Sequence, residues 1–570
     1  MSAIDWLVLA VTLSLIVAYG MYKSRGNHDI KGFLLGNQSL PWYHVCISVM
    51  ATQASAITFL SAPGLAYSSG MSFVQFYFGL PLAMIVLSIT FVPIFHRLKV
   101  YTAYEFLENR FDLKTRAFTA FLFLIQRGLS TGITIYAPSI ILSIILNIST
   151  TYTTLFIGGL VVVYTVYGGT KAVSYTQLLQ MSIIFSGLFV AGIMVVHLLP
   201  ENIGFSKAVH IAGKMGRTNA IDFSFDWNNP YTVWSGLIGG FFLQLSYFGT
   251  DQSQVGRYLT GASIGQSRIG LLMNGLLKIP MQFLILLIGI LVFAFYQYNQ
   301  PPVFFNSYEL NKLEKSTYKP ELDKITADYA QAFREKQVNV NEMSVALDAG
   351  DEKALNENRT AMKAADEKMK AVRQQTIDLM LKNDPNAETN DNNYIFLSFV
   401  TKYLPQGLIG LLVAIIFLAS MGSTASALNS LASTTVIDIY KRITHTGKTD
   451  QQYLYASRWV TIGWGIFCIF IALYASKLGH LIEAVNILGS LFYGTILGIF
   501  IVAFYFRKIG GTATFIAAII TEIIIFVCWN FNLMAYLWFN VLGCFLVVIF
   551  AYLIQKMGRK DFSQINPASA

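Results

Sequence analysis

The sequence predicts an all-α integral membrane protein with about thirteen transmembrane helices, and two observations lead to that prediction. Of the 570 residues, 54% are hydrophobic and only 12% are charged, which is not the composition of a soluble domain. Long apolar stretches recur along the chain, and about 20 helical residues cross a hydrocarbon core of roughly 30 Å. The predicted spans are 4–22, 42–66, 73–97, 117–146, 152–168, 173–199, 231–250, 269–297, 394–436, 454–475, 479–505, 511–529 and 532–555.

Positive charges predict how these helices are oriented. With the N-terminus outside, the segments that fall in the cytoplasm are rich in Lys and Arg, whereas the outer turns 64–72, 147–152 and 530–532 contain neither. Because the number of spans is odd, the C-terminus then lies in the cytoplasm. The net charge of +9 is spread over many loops, so we expect the lipid bilayer, and no nucleic acid, as a partner.

One polar segment interrupts the apolar pattern and divides the chain into the parts 1–303, 304–393 and 394–570. Within it, apolar residues repeat at helical spacing from 322 to 333 and from 362 to 379, with Gly350 between the two runs. The pattern predicts a helical hairpin on the outer face. A lid or a docking site for a partner is the alternative, but the charge density favours a passive, solvated hairpin.

Two predicted spans are crowded with small residues, ISVMATQASAITFLSAPG at 47–64 and AIIFLASMGSTASALNSLAS at 414–433. One interpretation is close helix packing, which small residues permit in membranes. The other is that each helix is broken near the midplane, where hydroxyls and freed carbonyls coordinate a cation. Both interpretations remain open from these residues alone.

No motif indicates catalysis. The chain has no nucleophile, base and orienter in a recognisable arrangement, and it has no phosphate-binding loop. Its four cysteines lie in predicted spans and its seven histidines lack the spacing of zinc or copper ligands. We therefore expect a membrane protein that is not an enzyme.

Four segments together resemble the sodium:solute symporter family, which includes sodium/glucose, sodium/iodide, sodium/proline and sodium/sialic-acid transporters. They are YGGTKAVSYTQLLQ (167–180), YFGTDQSQVGRYLTG (247–261), the stretch 391–441 and VNILGSLFYGTILGIF (485–500), in the family's order. The resemblance implies a LeuT-type fold with two five-helix inverted repeats, about 42–199 and 231–505. One extra helix precedes the repeats and two follow them.

The function implied by the resemblance is sodium-coupled import of a small organic solute through the inner membrane of a bacterial cell. Sodium is the expected coupling ion, and no obligate protein partner is evident. A membrane sensor that does not transport is the alternative from another class. About fifteen residues follow the last predicted span, too few for a signalling domain, so transport is preferred.

The resemblance also implies a sodium site between the first and eighth core helices. Its ligands would be the carbonyl oxygens of Ala51, Ala54 and Ala419 and the hydroxyl of Ser423. The family has two adjacent hydroxyl residues here, whereas this chain has Gly422 before Ser423. Either Ser420 or water supplies the missing ligand, or sodium binds more weakly.

A second sodium is not expected. Family members with two sodium ions place a carboxylate where this chain has Gln177, and one further ligand position is Ala425 although Ser426 remains. We therefore predict one sodium per solute. Proton coupling is the competing mechanism, but neither the first nor the eighth core helix offers a suitably placed Asp or Glu.

Arg127 is the strongest candidate for a solute ligand. It lies 11 residues beyond Arg116, which places it roughly 16 Å deeper along a helix, near the midplane, where a charge is expensive. Either it pairs with a buried carboxylate, or its planar fork receives a carboxylate of the solute, as a similar arginine does in sialic-acid members. We prefer the second interpretation because the neighbouring core helices offer few acids.

The remaining candidates are polar residues on core helices, and for each of them a bond between helices is as expected as a contact with solute. They are Gln53, Ser55, Thr58, Gln75, Gln244, Lys278 and Asn486, with Tyr247 as an inner-gate tyrosine. Lys278 in LLKIPMQF resembles the sugar carriers, whereas ATQASAIT resembles carriers of carboxylates, iodide and vitamins. The preferred solute is a carboxylate such as sialic acid or a monocarboxylate, and a glucose- or galactose-type sugar is the alternative.

Overall fold

The structure, a computed structural model, describes residues 1–24, 38–98, 100, 102–167, 170–443 and 449–558. Residues 168–169 of the first family motif thus lie outside the described residues. In the described ranges the chain is built from α-helices, with no strand. The helices before the polar segment are α1 Ala3–Ser24, α2 Trp42–Gln53, α3 Ala56–Ser69, α4 Ser72–Leu98, α5 Glu105–Arg110, α6 Leu113–Leu146, α7 Thr150–Tyr167, α8 Thr170–His197, α9 Phe205–Lys214, α10 Gly240–Thr250, α11 Gln252–Tyr258 and α12 Ile264–Tyr298.

In the described residues, the polar segment and the remainder of the chain add nine helices of eight or more residues. They are α13 Ser307–Glu314, α14 Lys319–Ala349, α15 Glu352–Asn383, α16 Ile395–Tyr403, α17 Leu408–Thr434, α18 Asp450–Tyr474, α19 Leu481–Tyr505, α20 Gly511–Asn530 and α21 Tyr536–Met557. After Thr434, α17 continues as a π-helical turn to Tyr440.

Nine helices in the described part of the chain are long and apolar enough to cross a membrane, and the bent pair α2 and α3 makes ten. The nine are α4, α6, α8, α12, α17, α18, α19, α20 and α21. The other expected spans are helical too, but the apolar parts of α1 and α7 are shorter, and α10 is separated from α11. The multi-pass architecture is confirmed, while the count of thirteen and the orientation remain predictions.

Of the two interpretations of the second span, the structure contains the broken helix. Helices α2 and α3 meet at 61°, and the two residues between them, Ala54 and Ser55, have extended or irregular backbone. The small-residue stretch 414–433 of the ninth span has no such break, because α17 is continuous there; the predicted span 394–436 is instead divided earlier, between α16 and α17. Several of its serine hydroxyls bond carbonyls of the preceding turn, as Ser426 does to Gly422 at 2.8 Å. Small residues in α17 therefore serve packing, the other interpretation of that stretch.

A second break, not expected from the sequence, lies at Asp251 between α10 and α11. Asp251 has extended backbone with φ −77° and ψ 117°, and its carboxylate caps α11 by accepting the N–H of Ser253 at 2.8 Å. The predicted span 231–250 ended one residue short of this break. The two breaks open the first helix of each expected repeat, which is where such transporters place their binding sites.

Helix α6 carries Arg127 into the middle of the bundle. The helix begins at Leu113, where the Asp112 side chain accepts the N–H of Thr115 at 2.8 Å, and it ends at Asn147, which has φ 53°. It packs against α17, α18 and α19. Helix α17 is the most enclosed span, with 89% of its most apolar stretch buried inside the molecule.

The hairpin formed by α14 and α15 turns at Gly350, as predicted, with φ 67°. Besides its solvated face, it has contacts that dock it on the rest of the protein, which the sequence did not predict; whether it is passive or acts as a lid stays a prediction. Near the turn, Met343 and Met362 pack with Ile211 of α9, and Lys207 of α9 pairs with Asp348 at 2.7 Å. At the other end, the chain after α15 returns to the bundle, where two tyrosine hydroxyls donate to Glu388. The density of charged residues in the sequence did not predict these contacts, because most of those residues lie on the solvated face of the hairpin.

Candidate functional site

A cavity of about 90 Å³, here called the central cavity, lies at the break between α2 and α3. Helices α4, α6, α10, α17 and α19 complete its walls. Its polar lining consists of Thr52, Gln53, Ser55, Thr58, Tyr77, Gln126, Arg127, Thr131, Thr134, Tyr247, Ser423, Thr424, Asn486 and Tyr493. Six of the predicted solute residues are in this set, namely Gln53, Ser55, Thr58, Arg127, Tyr247 and Asn486.

The helix break releases the carbonyls of Ala51 and Ala54 from the helical hydrogen-bond ladder. In a continuous helix the N–H of Ser55 would bond Ala51 and that of Thr58 would bond Ala54. Instead, the N–H of Ser55 donates to Gln53 at 3.1 Å and that of Thr58 donates to Ser55 at 3.0 Å. The carbonyl oxygens of Ala51 and Ala54 are thus available to a cation.

Helix α17 faces this break with hydroxyl groups. Ser423 lines the cavity and donates to the carbonyl of Ala419 at 2.9 Å, so that carbonyl remains engaged within its own helix. The next residue, Thr424, also lines the cavity, and its buried Oγ1 has no hydrogen-bond partner among the described residues. Thr424 was not expected from the sequence, because the resemblance places the second hydroxyl at position 422, although Ser423 and Thr424 are adjacent in the sequence.

Gln177 joins three helices behind the break. Its Oε1 accepts from Ser48 at 2.7 Å, and its Nε2 lies 3.3 Å from the Thr52 hydroxyl and 3.5 Å from that of Ser426. An amide group therefore occupies the space between hydroxyls on α2 and α17. A neutral amide cannot supply the negative charge of a carboxylate ligand.

Arg127 has a buried counter-charge. Its Nη2 donates to Oδ2 of Asp251, and Tyr493 of α19 donates to the same oxygen at 2.8 Å. The expectation that the neighbouring core helices offer few acids is therefore wrong. Asp251 lies within the family motif YFGTDQSQVGRYLTG, so the acidic partner was visible in the sequence. No local pattern connects Asp251 to Arg127, which lies 124 positions earlier.

Three predicted solute residues do not line the central cavity. The amide of Gln75 bonds the backbone of Tyr231 at 2.6 Å and of Asp222 at 2.9 Å, which anchors the segment before α10. Gln244 accepts a long bond, 3.4 Å, from Gln53. Lys278 is fully buried one layer away, with its Nζ 5.8 Å from the centre of the Tyr77 ring.

Other lining residues were not singled out from the sequence. Thr131 and Thr134 follow Arg127 at helical spacing on the same face of α6, and this periodicity could have identified them. Tyr493 packs against Tyr247 with 5.8 Å between ring centres. No local signal in the apolar stretch around Tyr493 marks it as a cavity residue.

Comparison with known proteins identifies the class. The sequence model of the sodium:solute symporter family matches residues 33–305 and 380–521, well over half of the chain, and the chain belongs to that family. It is therefore a sodium-coupled symporter in a membrane and not an enzyme. The unmatched interval between these ranges contains α13, α14 and most of α15.

Particular relatives agree with the class. The chain is 24% identical to the sodium/sialic acid symporter NanT of Aliivibrio fischeri, over 100% of this chain and 96% of that protein. It is 25% identical to the sodium-dependent multivitamin transporter of Oryctolagus cuniculus, over 89% of this chain and 67% of that one. The structure of a Na+-coupled sialic acid symporter in a substrate-bound outward-open state matches with a TM-score of 0.75, 20% identity and 98% coverage of both chains. This match shows the shared fold.

Proposed function

We propose that the protein imports a small carboxylate with one sodium ion across a bacterial inner membrane. The proposed topology has thirteen spans, the N-terminus outside, the C-terminus in the cytoplasm and the segment 304–393 on the outer face as a separate insert. The proposed solute class is supported by one observation, namely that Arg127, with its guanidinium group, lines the central cavity. A relative that covers the whole chain is named for sialic acid, a carboxylate, which agrees with this choice.

Arg127 keeps donors for a solute after it has paired with Asp251. A guanidinium has five N–H donors, and the ion pair uses one of them on Nη2. The buried Nε has no partner within the described ranges. A planar carboxylate can accept two parallel bonds from such a fork, so it gains more from Arg127 than a hydroxyl does.

The proposed sodium site combines the two halves of the break with α17. Its ligands are the released carbonyls of Ala51 and Ala54 and the hydroxyls of Ser423 and Thr424, with Ala419 as a further carbonyl. Helix α17 packs against both α2 and α3, which supports this combination. All these ligands are neutral oxygens, which suit a monovalent cation that must also leave.

Charge balance gives a reason for coupling. Of the residues that line the central cavity or pair with them, Arg127 and Asp251 carry charge, and the two charges cancel. A solute carboxylate adds one negative charge and a sodium ion at the break restores neutrality. Because the attraction between two ions is stronger in a buried site than in water, each ion increases the affinity for the other.

A neutral sugar is the second candidate. Because the charges of Arg127 and Asp251 cancel, the cavity does not require a charged solute. Its lining amides and hydroxyls can form hydrogen bonds with a sugar. Lys278, the residue that resembled the sugar carriers, does not line the cavity. We therefore rank the sugar below the carboxylate.

Charge movement distinguishes these candidates. One sodium with one monocarboxylate moves no net charge, whereas one sodium with a neutral sugar moves one positive charge per cycle. In proteoliposomes with a sodium gradient, we expect uptake of pyruvate or N-acetylneuraminate that a valinomycin-imposed potential does not alter. Uptake of galactose that responds to the potential, without uptake of either acid, would reject the carboxylate in favour of the sugar.

A further inference from the structure

A second cavity, of about 750 Å³, lies between the hairpin and the adjoining ends of α3 and α12. We call it the hairpin chamber. Helix α3 begins at the central cavity, which Thr58 lines, and reaches this chamber at Tyr67, so the two cavities are separated by roughly 14 Å of helix. Part of its wall comes from α14 and α15, within the interval that the family model does not match. Its volume is in the range that accommodates small organic ligands.

The chamber is lined by more positive than negative charges. Four cations, Arg217, Lys336, Lys370 and Arg373, line it together with two carboxylates, Asp366 and Asp391. Lys370 is exposed and pairs with Glu367 at 2.7 Å. Lys336 pairs with Asp366 at 2.6 Å, and Arg373 pairs with Asp391. Arg217 forms no ion pair with any residue that the structure describes. One positive charge in the chamber therefore lacks a direct partner.

Arg217 is held in a fixed position with donors to spare. Its Nη1 donates to the carbonyl of Ser68 at the end of α3, and its guanidinium lies 5.0 Å from the centre of the Phe293 ring. A cation is favourable at the C-terminus of a helix, which explains the first contact. Its Nε is buried and unpaired in the described structure. The side chain thus resembles a prepared anion ligand rather than a mobile surface group.

The electrostatics of the chamber favour an incoming anion. Burial lowers the pKa of Arg217 and that of Lys336; the nearby carboxylate of Asp366 opposes the shift at both groups, and the charge of Arg217 adds to the lowering of the Lys336 pKa. A negatively charged ligand would reduce both the burial penalty and this repulsion. A cation or a neutral ligand would relieve neither.

We propose that the hairpin chamber is a second binding site, for a small carboxylate, with Arg217 and Lys336 as its cationic ligands. The two cavities share no lining residue, so this site does not depend on the assignment of the central cavity. The hairpin then has a role in binding, because α14 supplies one of the two ligands.

The test uses the full-length protein with a fluorophore at the chamber. Ala371 is exposed and adjoins the lining residue Lys370, and the four native cysteines are buried, so Ala371→Cys can be labelled selectively with an environment-sensitive dye. Purified protein is titrated with pyruvate or with neutral pyruvamide, in potassium buffer without sodium and at constant ionic strength. Omitting sodium keeps the sodium-coupled central site at low occupancy.

We expect a saturable response to pyruvate and none to pyruvamide. Arg217→Gln and Lys336→Met should each weaken the pyruvate response by roughly tenfold or more, because each removes a charge-assisted hydrogen bond. Lys368→Gln is the matched control, since it removes an exposed cation of α15 outside the chamber and should change nothing. An equal response to both ligands, no response to pyruvate, or unaltered pyruvate binding by both chamber variants would overturn the proposal.

Discussion

Arg127 of α6 and Asp251, the residue at the break between α10 and α11, form a buried ion pair beside the central cavity. Tyr493 of α19 donates to the same carboxylate at 2.8 Å, so the pair joins three parts of the bundle. Arg127 therefore has a structural partner and also lines the central cavity, where we propose that the solute binds. These two roles can be separated by experiment.

Removing Arg127 alone should damage both stability and transport. Arg127→Ala leaves Asp251 buried without its counter-charge, which typically costs about 3–5 kcal/mol. The double variant Arg127→Ala with Asp251→Asn removes both charges and should recover most of the thermal stability in detergent, but no carboxylate uptake. If the double variant transports pyruvate or N-acetylneuraminate normally, Arg127 serves only the structure.

Arg127→Lys tests the planar fork. The substitution keeps the charge and can keep the ion pair with Asp251, but it loses the parallel donors that a carboxylate engages. We expect KM for the carboxylate to rise by about tenfold or more while kcat falls less. Initial rates of uptake over a range of solute concentrations provide the measurement. An unchanged KM would contradict a direct contact between Arg127 and the solute.

Thr424→Val should weaken sodium dependence. The change keeps the shape of the side chain but removes a hydroxyl that makes no hydrogen bond in the described structure, so the fold should be preserved. The sodium concentration for half-maximal uptake should rise by about tenfold, as expected when a charge-assisted contact is lost. Thr434→Val is the control, because Thr434 is also buried in α17 with an unpaired hydroxyl but does not line the central cavity. Equal sodium dependence in both variants would exclude Thr424 as a ligand.

The coupling ratio should be one sodium per solute. The amide of Gln177 lies between Thr52 and Ser426, where it offers no negative charge to a second cation. Parallel fluxes of radioactive sodium and labelled solute in proteoliposomes measure the ratio. Gln177→Leu should lower stability by about 1–3 kcal/mol through its unsatisfied neighbours, with the ratio unaltered. A flux of two sodium ions per solute would show that another ligand set replaces the absent carboxylate.

Stability should fall as the pH rises toward neutrality because of Glu388. Burial is the main cause that raises the pKa of Glu388 from 4.5 to about 7, against the opposing effect of the Tyr394 and Tyr136 hydrogen bonds. The folded state therefore holds this proton more tightly than the unfolded state. Its contribution to stability is fully present below the unfolded pKa and is lost as the pH rises through the folded pKa.

Thermal unfolding in detergent between pH 4.5 and 7 measures this effect, whose window follows from the two pKa values. Glu388→Gln should flatten the pH dependence, because the amide mimics the protonated acid and cannot ionise. Glu342→Gln, at an exposed position of α14, is the control and should leave the slope unchanged. A Glu388→Gln protein with the same slope as the parent would assign the pH dependence to other groups.

The sequence alone determined the features that depend on neighbours along the chain. Runs of apolar residues predicted the spans, since the bilayer imposes length and composition on each helix separately. The fixed rise per residue of an α-helix, applied to the separation of Arg127 from Arg116, predicted that Arg127 lies at membrane depth. Local motifs indicated the family. The small residues around Ala54 were compatible with a helix break, which the structure contains.

Only the tertiary structure decided which side chains meet. The partner of Arg127 lies 124 positions away, and their contact depends on how α6 rotates toward the second helix break. Lys278 looked suitable as a solute ligand, yet packing places it one layer behind Tyr77. The hairpin's charges predicted exposure, whereas its apolar face and ion pairs dock it on the bundle. Helix rotation, crossing and docking arise from packing between distant segments, and no local pattern of residues specifies them.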